Sequence, residues 1–494
     1  MTASAFAARL ERSAFLRAIT SPWVASFVLF AAVAAVTRPA TFNAPLEYDP
    51  PLYLYGGNLI LHGHTPYVDM IATKGPATYL LFAGIRLVAG TSVVIVHLTL
   101  VLFAALAAVA LTAYIARFAG RAVGFLAGLV FALFSATADL EGYSSNTEQY
   151  GVAPMVGAWW LATRREWWAT GLAGGLTAFA ALMNPAFVVV APFVAYELWA
   201  SSAAGRGRRF AWAGAGVAVV AVPILLWIGL SGAFGDMLEQ VFGYARSGVG
   251  GGGGGGRFWH VPAPALWVLG VIGCAVAMRD ARLRRVAIPA LLWIVVAWAR
   301  VKVANYSYSH HYYPALPGIA AGIAVGIGSL WRRSLLGRVA ICALVLAVPL
   351  WSEVLRFQGH ALREPATLRF YKTASHPYHL VYPVSAFIRS HTSPSDTIYM
   401  AGGLPSQEAT GAPGVYWLAD RFSPTIFIDT PPSRWIPSGY ASQRRWELLT
   451  HPPRAIGLMP QFQVDPDLRD VLRRYRYRLA YEINGARVWL RGAG

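Results

Sequence analysis

The sequence has little charge and almost no lysine or cysteine. Charged residues make up 13% of its 494 positions and hydrophobic residues 56%, whereas about 25% of an average soluble domain is charged. An ordinary water-soluble enzyme is excluded, because so much apolar surface could not be buried. A disordered chain is excluded as well, because it would be poor in apolar residues. The two cysteines, Cys274 and Cys342, lie in apolar runs and offer neither a disulfide framework nor a zinc site.

The positive charge is carried almost entirely by arginine. The formal net charge is +18, and Lys74, Lys302 and Lys372 are the only lysines. The arginines stand in short clusters between apolar segments, a pattern that is typical of membrane topology. We therefore favour a membrane protein over a nucleic-acid-binding protein, which would carry one basic patch or stripe.

Apolar segments close to the roughly 17–25 residues that cross a bilayer recur through the first 352 residues. They predict a mainly α-helical, polytopic transmembrane bundle of about 11 spans. The predicted spans are 21–37, 91–116, 121–137, 150–163, 167–183, 185–200, 210–230, 262–278, 286–300, 312–330 and 338–352. A further apolar segment, 75–90, is interrupted by Arg86, and we predict that it lies along the membrane interface without crossing.

The distribution of charge predicts the orientation of the bundle. With the N-terminus in the cytoplasm, 17 arginines fall on the cytoplasmic side, and seven basic residues fall in the outer loops before residue 353. This asymmetry follows the positive-inside rule and predicts a multi-pass protein of the cytoplasmic (inner) membrane. Residues 1–37 could instead be a signal peptide, but their apolar run is long for one, so we favour an uncleaved first helix.

The sequence divides into two predicted domains. Residues 1–352 form the transmembrane domain, whose first outer loop is 38–90, and residues 353–494, where charge returns, form a small extracytoplasmic α/β domain. The predicted elements of the second domain are helices at 379–391 and 467–475, strands at 396–401 and 425–429, and a hairpin of 478–483 with 486–490. The hairpin is predicted to turn at Asn484-Gly485.

Ionisable residues held at a membrane surface are costly, so those in the predicted outer loops are candidate functional residues. Carboxylates collect in the first two outer loops, and most of the cations lie in the later ones. The carboxylates are Glu47, Asp49, Asp69, Asp139, Glu141 and Glu148; the later cations are Arg246, Arg257, Arg300 and Lys302, with His310 and His311 beside them. A carboxylate can remove the proton of an acceptor hydroxyl, and cations can stabilise a departing phosphate. The pattern favours transfer of a sugar from a lipid-linked phosphate.

Three motifs follow one another in the first outer loop, and two more lie further along. They are Glu47-Tyr48-Asp49-Pro50-Pro51, Gly63-His64-Thr65-Pro66-Tyr67-Val68-Asp69, Lys74-Gly75-Pro76, Asn146-Thr147-Glu148 and His311-Tyr312-Tyr313-Pro314. In this order the motifs resemble those of membrane glycosyltransferases of the C-type fold (GT-C). The resemblance is to the branch that contains protein O-mannosyltransferases and lipid A aminoarabinose transferases. The closing α/β domain resembles the extracytoplasmic tail of many bacterial members, so the resemblance covers nearly the whole chain.

The resemblance implies a hexosyl- or pentosyltransferase that uses a polyprenyl-phosphate sugar donor and inverts the anomeric carbon, with Asp49 as the catalytic base. The acceptor would be a lipid, a protein or a polysaccharide outside the cytoplasm, in contact with membrane lipids and without nucleic acid. One departure concerns the cofactor: Pro50 replaces the second acidic residue of the family, although Glu47 lies nearby. No cofactor is certain on these grounds, and a divalent metal ion is left open.

The candidate site residues fall into two groups. The catalytic candidates are Asp49, Glu47 and Glu148, and the candidates for binding the donor phosphate are Lys74, Arg246, Arg257, Arg300, Lys302, His310 and His311. Simpler roles stay open. Asp49 could only cap the helix that starts there, because Asp followed by Pro is a good helix start, and Lys74 could reach for the lipid headgroups. His62 and His64 suggest zinc, but residues two apart on a helix face different directions.

Two other functions also stay open. A transporter or lipid flippase would carry ionisable residues near the middle of its spans and paired repeats, and the sequence displays neither feature. An inactive relative that binds the lipid is kept open by Pro50. The seven glycines at 250–256 predict a flexible connector, either a gate over the donor site or a tolerated surface insertion.

Overall fold

The computed structural model describes most of the chain. It covers residues 21–200 apart from positions 40, 43, 45, 47 and 48, then 205–243, 261–303, 308–330, 350–355, 380–401, 412–428, 440–460 and 463–492, with the single positions 339, 343 and 347. The predicted span 338–352 and the boundary between the two predicted domains lie almost wholly outside these residues.

The described part of residues 21–355 is helical. Its helices are α1 Pro22–Val36, α2 Asp49–Leu61, α3 Pro76–Ala89, α4 Val93–Ala119, α5 Arg121–Phe134, α6 Thr147–Ala162, α7 Trp167–Met183, α8 Ala191–Ala200, α9 Arg206–Leu230, α10 Phe234–Leu238, α11 Pro264–Ala277, α12 Arg284–Val303 and α13 Leu316–Ser329. Short 3₁₀ segments at Ala138–Leu140, Pro185–Val190 and Ser309–Ala315, and π-helical turns at Glu239–Gly243 and Leu350–Leu355, complete this part.

These helices occupy the apolar segments that the sequence predicted. Among the described residues, α4, α9 and α12 are long and apolar enough to cross a membrane alone, and the other apolar helices are shorter. The segment that Arg86 interrupts forms α3, a helix of 14 residues. The fold is therefore mainly helical, as predicted.

Glycines let several helices pack closely. On α7 and α9, a Cβ added to Gly174 or to Gly216 would collide with a backbone carbonyl of the facing helix. Gly273 of α11 and Gly322 of α13 are equally crowded by each other's helix. Small residues at such contacts permit the close approach that stabilises helix pairs in a membrane.

A fully buried arginine ties together two loops on the predicted outer side. The Arg38 guanidinium follows α1 and donates hydrogen bonds to the Ala34 carbonyl at 2.8 Å, the Ser135 hydroxyl at 3.0 Å and the Gly142 carbonyl at 3.0 Å. It joins the end of α1 to the loop between α5 and α6, which carries Glu141.

A second buried arginine, Arg209, joins helix ends on the predicted inner side. The Arg209 guanidinium donates to the carbonyls of Leu198 at 2.9 Å, Ala162 at 2.6 Å and Arg164 at 2.8 Å. Leu198 and Ala162 lie in the last turns of α8 and α6, where a helix leaves carbonyl acceptors unsatisfied, and Arg164 follows α6. Helix ends that the charge pattern assigns to one side thus meet in the structure.

The C-terminal part contains four helices and a four-stranded sheet. Its elements are α14 Val381–His391, β1 Ile398–Ala401, α15 Ala412–Ala419, α16 Tyr440–Thr450, β2 Ala455–Leu458, α17 Pro466–Arg474, β3 Arg478–Ile483 and β4 Ala486–Leu490. The strand order is β1-β2-β4-β3, with β1 parallel to β2 and the other pairs antiparallel. The predicted hairpin is confirmed, and Asn484 and Gly485 at its turn have φ of 46° and 83°, as such a turn requires.

One predicted strand is wrong. The predicted helices at 379–391 and 467–475 form α14 and α17, and the strand at 396–401 forms β1. Residues 425–428 form no strand, and position 429 lies outside the described residues. The backbone N–H of Thr425 donates to the Ser423 hydroxyl at 3.1 Å, and that of Phe427 donates to the Thr425 hydroxyl at 3.0 Å. Such local bonds compete with the pairing of a strand.

The C-terminal part packs on α2 and α3, which belong to the predicted first outer loop. Arg86 of α3 pairs with Asp420 at 2.6 Å, and the Trp417 indole donates to the Gly90 carbonyl at 3.1 Å. The Ser423 N–H donates to the Tyr55 hydroxyl of α2 at 3.0 Å. The sheet and its helices are therefore anchored to the helix that Asp49 begins.

Candidate active site

Asp49 is the first residue of α2, and its charge influences buried groups that include Tyr53, Tyr79 and His310. Burial raises the pKa of the Tyr53 hydroxyl, one turn further along α2, and the charges of Asp49 and Glu148 raise it further. The charge of Asp49 also acts on His310, which comes from the 3₁₀ segment before α13. Tyr53 and His310 are thus both influenced by the charges of Asp49 and Glu148, two carboxylates that the sequence predicted.

Glu148 lies in the first turn of α6, just before the predicted span, and is completely buried. Its carboxylate accepts a hydrogen bond from the Thr147 hydroxyl at 2.8 Å and another from the Asn184 amide at 3.3 Å. The His311 Nε2 lies 3.9 Å away. Burial alone would raise the pKa of Glu148, but the positive charge of Lys74 outweighs it with help from the cations of the later loops, and the pKa falls below its usual range. Glu148 is therefore a buried carboxylate among cations.

His310 and His311 are both buried, but they differ in charge. The Nδ1 of His310 lies 2.7 Å from a carboxylate oxygen of Glu141. Burial would lower the pKa of His310, yet the bond with Glu141 raises it above the ordinary value. For His311, burial and the neighbouring His310 charge lower the pKa well below the ordinary value. His310 thus holds a proton more readily than an ordinary histidine, and His311 holds one less readily.

Two further cations lie at the end of α12. Arg300 is buried, its guanidinium donates to the His311 carbonyl, and its carbon lies 5.5 Å from the centre of the Phe187 ring. The Lys302 ammonium lies 5.6 Å from the centre of the Tyr312 ring. Cations over aromatic faces are held by the electrostatic attraction of the ring. Arg300 acts on Glu148 and His311 and belongs to the cluster, whereas Lys302 lies over Tyr312.

The backbone of Lys74 is held by two tyrosines. The Tyr67 hydroxyl donates to the Lys74 carbonyl at 2.8 Å, and the Lys74 N–H donates to the Tyr79 hydroxyl at 3.5 Å. Tyr67 has a φ of 78°, which is strained for a bulky residue. The side-chain amide of Gln240 braces it, because Nε2 donates to the Tyr67 carbonyl and Oε1 accepts from the Ala72 N–H, each at 2.8 Å.

Three of the predicted site residues lie outside the described part of the chain, and the two histidines that suggested zinc pack against the C-terminal part. Glu47, Arg246 and Arg257 lie outside the described residues. His62 and His64 pack against the Phe422 ring at centroid distances of 5.1 and 5.8 Å. Within the ranges described above, no group of three or more His, Cys, Asp and Glu side chains is arranged to hold a metal ion. A divalent metal ion therefore stays a prediction.

Sequence reasoning did not single out Tyr53, Gln240 or Asn184, and it listed Glu141 only among the carboxylates of the outer loops. Tyr53 could have been found by its helical spacing, since it stands four residues after Asp49. Glu141, Gln240 and Asn184 carry no such signal, because each reaches its partner across a long separation in the chain. The structure assembles one carboxylate at the start of α2 and a group of cations around a second, buried carboxylate. This arrangement can accept a proton at one point and hold an anion beside it.

No model of a known protein family and no curated protein matches the sequence. Solved structures share its fold. The aminoarabinose transferase ArnT from Cupriavidus metallidurans, bound to undecaprenyl phosphate, is 16% identical, with a TM-score of 0.60 over 96% of this chain and 99% of that one. The archaeal oligosaccharyltransferase AglB from Archaeoglobus fulgidus, in complex with an inhibitory peptide and a dolichol-phosphate, is 11% identical, with a TM-score of 0.53 over 95% and 74%. The chain therefore has the GT-C fold, as its motifs predicted.

Proposed function

We propose that this protein transfers a sugar from a polyprenyl-phosphate carrier to an acceptor hydroxyl outside the cytoplasm, with inversion at the anomeric carbon. The observation that supports the proposal is that the charges of Asp49 and Glu148 act on the same two buried groups, Tyr53 and His310, while cations surround Glu148. A base beside a phosphate-binding cluster is what this reaction requires.

The proposed donor follows from the charge of the cluster and from the structural neighbours. Lys74, Arg300 and His310 offer positive charge to a phosphate, and Arg300 and His310 are buried, where a charge is little screened by water. The two similar structures hold undecaprenyl phosphate and dolichol-phosphate, both polyprenyl phosphates. A monosaccharide esterified to such a phosphate would place its leaving group in this cluster.

The proposed reaction is a single displacement. Asp49 removes the proton of the acceptor hydroxyl as its oxygen attacks the anomeric carbon from the side opposite the phosphate. The new carbon–oxygen bond forms while the bond to the phosphate breaks, and the phosphate leaves with the bonding electrons. Lys74, Arg300 and His310 stabilise the negative charge that develops on it. The attack from the opposite side inverts the anomeric carbon.

Glu148 has a positioning role in this proposal. Its carboxylate is completely buried and occupied by Thr147 and Asn184, so it is poorly placed to reach an acceptor hydroxyl. Its negative charge holds Lys74 and Arg300 at the site. Asp49 is only partly buried at the start of its helix, and we assign the base to it alone.

The test is replacement of Asp49 by Asn, which keeps the shape of the side chain and removes the base. We expect transfer to fall by about 100-fold or more, while the protein folds and binds polyprenyl phosphate as before. Asp69→Asn is the matched control, because Asp69 lies in the same loop but caps the Thr65 N–H at 2.7 Å. Unchanged transfer in Asp49→Asn would remove the proposed base.

A further inference from the structure

A short polar segment enters the start of α6 and is buried along its whole length. Residues 144–149 are all polar, and none is more than 4% exposed. Thr147 and Glu148 bond to each other, and Glu148 also accepts from Asn184. Polar groups are rarely buried in such number unless each has a hydrogen-bond partner.

Apart from the Ser145 hydroxyl, which interacts with the Tyr150 hydroxyl, three side-chain oxygens in this segment have no hydrogen-bond partner within the described residues. They are the Ser144 hydroxyl, the Asn146 Oδ1 and the Gln149 Oε1. Leaving such a group buried and unsatisfied costs about 1–3 kcal/mol. Two of the three are amide carbonyl oxygens, which only accept hydrogen bonds. The unsatisfied groups therefore require a ligand or solvent that donates hydrogen bonds.

The position of these oxygens connects them to the proposed active site. The Gln149 Nε2 donates to the Glu141 carbonyl at 2.8 Å, and the Glu141 carboxylate lies 2.7 Å from His310. The Ser144 N–H donates to the same Glu141 carbonyl at 2.8 Å. Asn146 precedes Gln149 by three residues, a spacing that puts two side chains on one side of a helix start. The oxygens thus border the cation cluster.

We propose that Ser144, Asn146 and Gln149 form the subsite for the donor's sugar. Resting on the proposed function, this assignment names a class of ligand: a neutral monosaccharide whose free hydroxyls donate to the two amide oxygens. A phosphate does not fit them, because a fully ionised phosphate offers only acceptors and would face acceptors. The cations beside them take the phosphate, and the segment takes the ring attached to it.

The experiment measures how the whole protein in lipid nanodiscs binds four short-chain probes. They are polyprenyl phosphate alone, its mannosyl and glucosyl derivatives, and a deoxy derivative of whichever sugar binds more tightly. Wild type should bind that sugar derivative more tightly than the bare phosphate. Asn146→Leu and Gln149→Met, which keep the approximate size of the side chain and remove the acceptor, should each weaken it by about fivefold, the effect of one lost hydrogen bond. Binding of the bare phosphate should not change.

The deoxy probe distinguishes a lost hydrogen bond to the sugar from a general loss of folding in the variants. Removing a hydroxyl from the probe should weaken binding to wild type and have little further effect on the variant that lacks its partner, as coupled changes do. Thr112→Val is the matched control, because the Thr112 hydroxyl is also buried without a partner among the described residues. It lies elsewhere, in α4 against Gly128 of α5, so its loss should leave every probe unaffected.

The outcomes separate this assignment from the proposed function. If the bare phosphate binds but neither sugar derivative binds more tightly, or if the variants weaken all probes equally, the sugar subsite is wrong and the phosphate site stands. If solvent alone satisfies the three oxygens, Asn146→Leu and Gln149→Met will bind every probe as wild type does, and the subsite is again wrong. If wild type binds no polyprenyl phosphate at all, the proposed function fails as well.

Discussion

His310 and Glu141 stand 169 residues apart in the chain, yet their side chains meet with 2.7 Å between Nδ1 and a carboxylate oxygen. Glu141 belongs to the loop before α6, and His310 belongs to the 3₁₀ segment before α13. The contact joins two outer loops at the edge of the cation cluster. It also favours the charged form of His310 although the ring is buried, because the carboxylate offsets the cost of removing the cation from water.

The first prediction concerns pH. The pKa of His310 is raised, so its positive charge persists to higher pH than that of an ordinary histidine and is lost as the pH rises through the raised pKa. Donor affinity should fall over that range. Glu141→Gln removes the carboxylate that raises the pKa, so the fall should begin at lower pH. The pH profile of kcat/KM for the two proteins measures this shift.

The control for the pH prediction is Glu166→Gln. Glu166 is an exposed carboxylate that pairs with Arg164 at 2.9 Å, and it lies on the predicted inner side. The substitution makes the same chemical change away from the site. Identical profiles for wild type and Glu141→Gln would show that His310 does not set the alkaline side of the profile.

The second prediction concerns the stability that Glu148 provides. Replacing it by Gln leaves the surrounding cations without their buried partner, which typically costs about 3 kcal/mol. The pKa of Glu148 lies below its usual range, so the stabilisation is present above the ordinary pKa of a glutamate and disappears only in strong acid. Thermal unfolding in detergent, followed against pH, should show a lower Tm for Glu148→Gln at neutral pH. Glu482→Gln on the exposed strand β3 should leave Tm unchanged, and an equal Tm in Glu148→Gln would contradict the prediction.

The third prediction concerns the strained turn at Tyr67. Tyr67→Phe removes the hydrogen bond to the Lys74 carbonyl, and Gln240→Leu removes the amide that braces Tyr67. Each should lower kcat/KM by about fivefold through poorer placement of Lys74, the effect of one hydrogen bond. Enzyme kinetics with the lipid donor would show this loss.

Tyr475→Phe is the control for the turn, because the Tyr475 hydroxyl also donates to a backbone carbonyl, that of Leu449, but in the C-terminal part. The double variant of Tyr67 and Gln240 adds a further test. If both residues act through Lys74, their effects should not add. Fully additive losses would show that the two side chains act separately.

The fourth prediction concerns the ion pair between Arg86 and Asp420. The Arg86 side chain is 9% exposed, and the Asp420 side chain is 44% exposed. The exposure of Asp420 weakens the pair through solvent screening, so Asp420→Asn should cost about 1 kcal/mol. Asn suits the φ of 56° at this position, so the change isolates the lost charge. Limited proteolysis should release the C-terminal part sooner, and an unchanged cleavage rate would contradict a role in docking.

The sequence predicted the helical framework better than the C-terminal part. The apolar segments and arginine clusters repeat along the chain, so a local pattern sufficed for α4, α9 and α12. The hairpin of β3 and β4 was equally accessible, because Asn-Gly marks its turn. Strand β2, four residues long, was not predicted, since so short an apolar run has no period of its own.

The site was only partly predictable for a similar reason. Asp49, Glu148, Lys74 and the two histidines stood out by type and by their place at outer helix ends. Gln240 did not stand out, and Glu141 appeared only as one of several outer-loop carboxylates, because both residues act across the fold. No local pattern distinguishes a glutamate in a wet loop from one that holds a buried histidine. Tertiary contact decides between these two roles.

The burial of Arg38 changes the electrostatic interaction between the protein and the lipid headgroups. Its guanidinium is enclosed by carbonyls of α1 and of the loop before α6, and Arg86 and Arg300 are also largely enclosed. All three were counted among the basic residues of the outer loops. A buried cation attracts few anionic headgroups, so these three arginines add little to the charge that the predicted outer side presents to lipid. With the predicted orientation, we expect a stronger preference for anionic phospholipid at the inner rim, relative to the outer one, than the sequence count indicates.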